Sequence, residues 1–293
     1  MEKSVQKSAT FKDYLNLTKP GIIFGNAVTA VGGYAFAVDM SFTLSLFLAM
    51  VEGLSCIIAA ACIFNNVIDR KHDAKMGRTQ SRPLAMGVIP EHRALLMGLT
   101  LLLIGTLVLA FGTNAHATSL ALIGFFLYVF VYSFAKYQTI YGTHLGSLAG
   151  AIPPLVGYCA VRPTLDLGAW MLFAVIAFWQ MPHFFAIAIY RMKDYERASI
   201  PVFPRLMGIQ RTKWHMMLYL ALFMGSTLLL PLLGLTTPLF GVVMSVVGGI
   251  WALIALLGFF TRDDERWARQ MFLFSLFAVM AFSLMLSFCS KIA

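Results

Sequence analysis

Apolar stretches of about twenty residues recur along this chain, and that is the length an α-helix needs to cross a hydrocarbon core of about 30 Å. They fall at roughly 21–38, 42–64, 94–112, 116–135, 143–161, 168–190, 214–234, 237–260 and 270–290. Nine such spans in 293 residues leave connections too short for a separate soluble domain. The expectation is therefore an all-α polytopic membrane protein, with nine transmembrane helices in one bundle over residues 21–293. Residues 1–20 contain no apolar run of the signal-peptide kind and read as a cytosolic N-terminal arm. Charged residues are only 12% of the chain, against about a quarter in a soluble domain, and the mean hydropathy is +0.79. Coiled coils, collagen, disordered chains and disulfide-stapled secreted modules are excluded together. Cys56, Cys62, Cys159 and Cys289 all sit inside apolar runs without a C-x-x-C spacing, so they read as small core residues.

The formal charge of +9 does not imply nucleic acid, because it is unevenly placed between loops. With the N-terminus inside, twenty of the 22 Lys and Arg residues fall on cytosolic segments, and only Arg162 and Lys291 fall outside. Positively charged loops resist export, so the chain is expected N-terminus in and C-terminus out. The outer connections are very short, whereas two inner ones, 65–92 and 191–213, are long and rich in charge. Extended loops on a rigid scaffold are where function tends to sit, which directs attention to the inner face.

There the second span runs on into Asn65-Asn66-Val67-Ile68-Asp69-Arg70-Lys71-His72-Asp73. Asn65, Asp69 and Asp73 are spaced i, i+4, i+8 and share one helix face, with His72 off it by about 100°. Arg70, Lys71, Lys75, Arg78 and Arg82 surround them. Hard oxygen ligands ringed by cations suit a substrate diphosphate bridged by Mg²⁺, which takes one or two carboxylates plus phosphate oxygens and water. The same spacing also fits a solvated helix end whose acids and bases pair across one turn.

The segment Asn65-Asn66-x-x-Asp69-x-x-x-Asp73 resembles the N-(D/N)-x-x-D-x-x-x-D signature of the intramembrane prenyltransferases related to 4-hydroxybenzoate polyprenyltransferase. Further segments are similar to one branch of that superfamily, the protohaem IX farnesyltransferases. They are Thr18-Lys19-Pro20-Gly21, Arg78-Thr79-x-x-Arg82-Pro83-Leu84, Tyr132-x-x-x-Lys136, Gly150-Ala151-x-Pro153-Pro154-x-x-Gly157, Trp179-Gln180-x-Pro182-His183-Phe184 and Lys193-Asp194-Tyr195 with Pro201 downstream. The resemblance implies transfer of farnesyl from farnesyl diphosphate to a vinyl group of haem b, giving haem O, in a bacterial inner membrane. A haem A synthase or terminal oxidase would be the downstream partner. Other relatives carry a second D-x-x-x-D between the sixth and seventh spans. Here Ala198 stands four residues after Asp194, which leaves Asp194 as a lone candidate metal ligand or hydrogen-bond acceptor.

On this resemblance Asn65, Asp69 and Asp73 hold Mg²⁺ and carry catalysis, while Lys19, Arg78, Arg82, Lys136 and Tyr132 bind the diphosphate. Lys136 also reads as a snorkelling, topology-setting cation. His183 and Trp179 are candidates for contacting haem, with His183 a candidate axial ligand. An ionisable residue at that depth faces the bundle interior, and a carbonyl freed by Pro182 would satisfy it equally well. His116 and His144 read mainly as interfacial polar residues. Pro153, Pro154 and Gly157 should break the fifth span beside a cavity. Two other functions remain open at this level. One is prenyl transfer to a quinone precursor or chlorin on the same fold. The other is secondary transport of an anionic lipid or metal-phosphate, which also uses broken helices and intramembrane charge.

Overall fold

A computed structural model describes residues 9–38 and 42–291. Part of the expected arm, with Lys3 and Lys7, and part of the first outer turn lie outside the described residues. A short helix α1 (Phe11–Leu17) is capped by Thr10 and Asp13, each side chain bonding the other's backbone N–H. Lys19 then turns the chain in the left-handed region (φ 52°), and α2 (Pro20–Ala37) starts on a proline that lacks the N–H a first turn leaves unused. There follow α3 (Leu44–Asp73), α4 (Glu91–Gly112) and α5 (Ala115–Phe126). A π turn over Leu127–Tyr132 carries α5 into α6 (Ser133–Gln138). Next come α7 (Gly142–Gly150), α8 (Ile152–Val161), α9 (Leu167–Tyr190), α10 (Met192–Arg197) and α11 (Phe203–Met207). The bundle closes with α12 (Ile209–Leu232), α13 (Pro238–Leu257) and α14 (Asp264–Cys289). No β-strand occurs among the described residues.

Among the described residues eight segments are long and apolar enough to cross a membrane: α3, α4, α5 through α6, α7 with α8, α9, α12, α13 and α14. The ninth expected span is α2, whose Asn26, Thr29 and four glycines dilute its apolar character. It nevertheless runs between the same two ends of the bundle as the other spans. Lys19 at its start bonds Asn65 at the charged end, and Phe36 and Ala37 at its finish accept from Ser290 and Arg162 at the other. At about 1.5 Å per residue its length suffices for the hydrocarbon layer. Large apolar side chains such as Leu96, Leu103, Phe111 and Leu253 remain on the outside, where lipid takes the place of water.

The basic segments meet at one end. Lys213 reaches Asp264 Oδ1 at 2.5 Å and the Gly258 carbonyl at 2.6 Å, Lys193 lies 3.6 Å from Glu265, and Arg70 pairs with Glu91. Arg70 is thus turned away from the acidic stripe that it interrupts in sequence.

The fifth span does break, at Ala151, between α7 and α8. Gly157 plays a different part from the one its spacing indicates. It stays inside α8, where a Cβ would lie 1.9 Å from the Ala30 carbonyl oxygen, and a Cβ on Gly33 would lie 2.1 Å from that of Pro154. α2 and α8 therefore touch backbone to backbone, a closeness only small residues permit. This seam fixes one wall of the chamber described next.

Candidate active site

A chamber of about 690 Å³ opens at the charged end and runs into the bundle. Its mouth carries Lys19, Asn65, Asp69, Asp73, Arg78, Arg82 and Lys136, and its interior is walled by residues such as Ile57, Ala61, Ile176, Trp179 and Phe272. The α3 stripe points into it as the helical spacing requires.

Each oxygen-bearing group of the stripe is already engaged. Asn65 accepts from Lys19 Nζ at 2.7 Å and donates to Ser133 Oγ at 2.9 Å, which in turn donates to the Tyr128 carbonyl at 2.9 Å. Asp69 accepts from Lys136 Nζ and from Tyr137 OH, each at 2.6 Å and each on its own oxygen. Asp73 accepts from Arg82 Nη1 at 2.7 Å, and its carbonyl accepts from Thr79 at 3.0 Å. Arg82 also reaches Asn66 Oδ1 at 3.3 Å, while Asn66 donates to the Leu17 carbonyl at 2.9 Å. The left-handed turn at Lys19 aims that side chain inward, and burial draws its ammonium down to about 8. Arg78 lines the mouth without an ion pair among the described residues.

Two carboxylates thus face four cations, leaving a surplus of positive charge suited to a polyanion. Among the described residues no three His, Cys, Asp or Glu side chains converge on one point. A divalent cation at the stripe would have Asp69, Asp73 and the Asn65 amide oxygen from the protein and the rest from substrate and water. That donor set is of the kind Mg²⁺ takes, so the residues present fit it.

Deeper in, Trp179 and His183 stack with ring centres 4.9 Å apart. Trp179 Nε1 donates to the Ser275 carbonyl at 2.9 Å, and His183 Nδ1 lies 2.7 Å from Ser275 Oγ. Both rings line the chamber, whereas His116 and His144 do not.

The sequence profile of the UbiA prenyltransferase family matches residues 26–277. The chain belongs to that family. Among UbiA relatives, a protoheme IX farnesyltransferase from Protochlamydia amoebophila is 49% identical over 275 residues, which is 94% of this chain and 97% of that protein. Solved structures share the fold at much lower identity. One, of digeranylgeranylglyceryl phosphate synthase, superposes with a TM-score of 0.75 at 16% identity, covering 94% of this chain and 98% of the other. A UbiA homologue from Archaeoglobus fulgidus bound to GPP and Mg²⁺ does so with a TM-score of 0.68 at 14% identity, covering 94% and 99%.

Within this UbiA chamber the residues named from sequence come together with one exception. Asp194, on α10, accepts from the Gly77 backbone N–H at 3.1 Å and does not line the chamber. This is the hydrogen-bond role left open by its lone position. Segments 74–90 and 191–208 meet through an apolar cluster of Met76, Ala198 and Ile200 with Tyr195 and Val202 against it. His72 does not simply point away from the stripe. Its ring stacks on Tyr137 at 3.9 Å, beside Asp69. Tyr137, Ser133 and Ser275 escape sequence reasoning, since a hydroxyl within or beside an apolar helix gives no periodic signal.

Proposed function

We propose that this UbiA prenyltransferase transfers the farnesyl group of farnesyl diphosphate to a vinyl carbon of haem b, giving haem O. The observation that carries the reading is the chamber itself, a cation-rich mouth on an acidic stripe opening into an apolar interior walled by Trp179 and His183. The protoheme IX farnesyltransferase relative supplies the acceptor.

Lys19, Arg78, Arg82 and Lys136 hold the diphosphate and stabilise it as a leaving group, with Tyr132 beside them; Lys136 Nζ lies 5.2 Å from the Tyr132 ring centre. Asn65, Asp69 and Asp73 would hold a bound Mg²⁺, which would supply electrophilic withdrawal of charge from the diphosphate. The allylic C–O bond breaks with its electron pair going to the diphosphate, and the vinyl π pair forms the new C–C bond. Water then adds to the carbocation beside the porphyrin and releases a proton, leaving a hydroxyl there. Apolar walls keep water from the allylic carbon before the acceptor reaches it. His183 and Trp179 bind the macrocycle.

The chain is a multi-pass membrane protein. Its proposed setting is a bacterial inner membrane, with residues 1–20 and the mouth in the cytosol and the C-terminus outside. In that setting a haem A synthase or terminal oxidase consumes the product. Purified protein incubated with haem b, farnesyl diphosphate and Mg²⁺ is expected to yield the mass of haem O. Prenylation of a quinone precursor in place of haem, or substrate exchange across vesicles without a new product, would sink this reading.

A further inference from the structure

Ser275 on α14 is fully buried and holds two chamber rings by two different atoms. Its carbonyl accepts from Trp179 Nε1 at 2.9 Å, and its Oγ lies 2.7 Å from His183 Nδ1. A serine hydroxyl has one proton to give. Ser275 gives it to the Phe272 carbonyl, at 2.5 Å. Toward His183 the Oγ can then only accept, which requires the proton of a neutral imidazole to sit on Nδ1. The lone pair is left on Nε2. Nε2 makes no hydrogen bond among the described residues, although the ring lines the chamber.

We propose that Ser275 is a positioning residue that fixes the Nδ1–H tautomer of His183 and so presents Nε2 as an axial ligand to the iron of bound haem. The proposal rests on the reading of haem b as acceptor substrate. It deepens that reading by naming the atom that ligates and the residue that sets it. An N–H to acceptor bond behind a ligating histidine is the usual device for orienting the ring and raising its basicity. Because Trp179 is held by the main chain of Ser275, replacing the side chain leaves that bond in place and isolates the effect on His183.

The experiment titrates haem into purified wild type, Ser275→Ala, Ser275→Thr and His183→Ala without farnesyl diphosphate. The readouts are the absorbance spectrum and, on the ferrous complexes, the Fe–His stretching frequency by resonance Raman. Wild type is expected to show a histidine-ligated haem. His183→Ala should lose that signature, and added imidazole should restore it. Ser275→Ala should bind haem on the order of tenfold more weakly, with a lowered Fe–His frequency, and Ser275→Thr should return both toward wild type. A His183→Ala protein that keeps the wild-type spectrum overturns the ligand assignment. An unchanged frequency in Ser275→Ala overturns the role of Ser275, even if that variant is less stable. If Ser275→Ala does not fold, a Ser275→Thr frequency far from wild type does the same. A wild type that binds no haem yet prenylates another acceptor overturns the functional reading, a result distinct from either of these.

Discussion

Lys136 Nζ lies 2.6 Å from Asp69 Oδ2, joining residues 67 apart in the chain, while Tyr137 donates to the other oxygen of the same carboxylate. The pair is largely buried at the rim of an apolar chamber, where an uncompensated charge is costly. Asp69 is therefore both a candidate metal ligand and the anchor that holds Lys136, a candidate phosphate-binding cation, in place.

Replacing Asp69 or Asp73 with Asn should lower turnover on the order of a hundredfold or more. Each Asn keeps one acceptor oxygen for the paired Lys136 or Arg82 and removes no apolar core contact, so both variants are expected to stay monodisperse in detergent at a lower unfolding temperature. Initial rates across a Mg²⁺ titration test this. Near-normal rates would mean that the stripe is a structural ion-pair network and holds no metal that turnover needs.

Arg82→Ala should raise the KM for farnesyl diphosphate on the order of tenfold, in line with loss of one charge-assisted hydrogen bond. Haem affinity should stay close to wild type because the porphyrin walls are untouched. Diphosphate competition and haem absorbance titrations measure the two separately. Equal losses would show that Arg82 acts by holding Asp73 and Asn66 in the fold.

At Asp194 the conservative and the truncating variants should part company. Asn keeps an oxygen for the Gly77 N–H, so Asp194→Asn should retain activity within about twofold, whereas Asp194→Ala loses the bond. Limited proteolysis should then cut loop 191–208 faster in the Ala variant. A collapse of activity in Asp194→Asn that excess Mg²⁺ repairs would instead make Asp194 a metal ligand.

Gly157→Ala should cost about 1–3 kcal/mol of stability, because the new methyl would meet the Ala30 carbonyl oxygen at 1.9 Å and must push α2 from α8. Gly249→Ala, with nothing within 4 Å of its Cβ position, is the control and should be neutral. Thermal unfolding in detergent gives the comparison.

Topology should follow the distribution of Lys and Arg. A reporter fused after the C-terminus is expected outside, and one inserted in the 191–208 loop is expected in the cytosol. A cytosolic C-terminus would require an even number of crossings and remove α2 from the count.

What could be read in the sequence is what one helix decides alone. Asn65, Asp69 and Asp73 follow from a spacing of four on a regular screw, and the crossings follow from the length of each apolar run. Contacts made between distant helices are not encoded in that way. Lys136 reads as a diphosphate-binding or snorkelling cation with no named partner, and Tyr137 beside it gives no signal, yet both meet Asp69. Ser275 is one hydroxyl in an apolar helix, indistinguishable from packing until α9 is laid against it. Gly157 signals a break by composition and serves as a contact by geometry. His72 is off the stripe by angle, but Tyr137 comes to it from another helix.

The π turn over Leu127–Tyr132 has an angular consequence. An α-helix rotates about 100° with each residue, and a π turn takes up an extra residue without the matching rotation. Everything beyond it is clocked differently from α5, like a shaft with two keyways cut out of line. Ser133, Lys136 and Tyr137 all lie beyond it, and they are this segment's contacts to Asn65 and Asp69. Winding the same residues into a regular α-helix would swing Lys136 more than a quarter of a revolution away from its carboxylate. The offset lets one transmembrane segment show an apolar side to lipid along α5 and an ionic side to the mouth at α6.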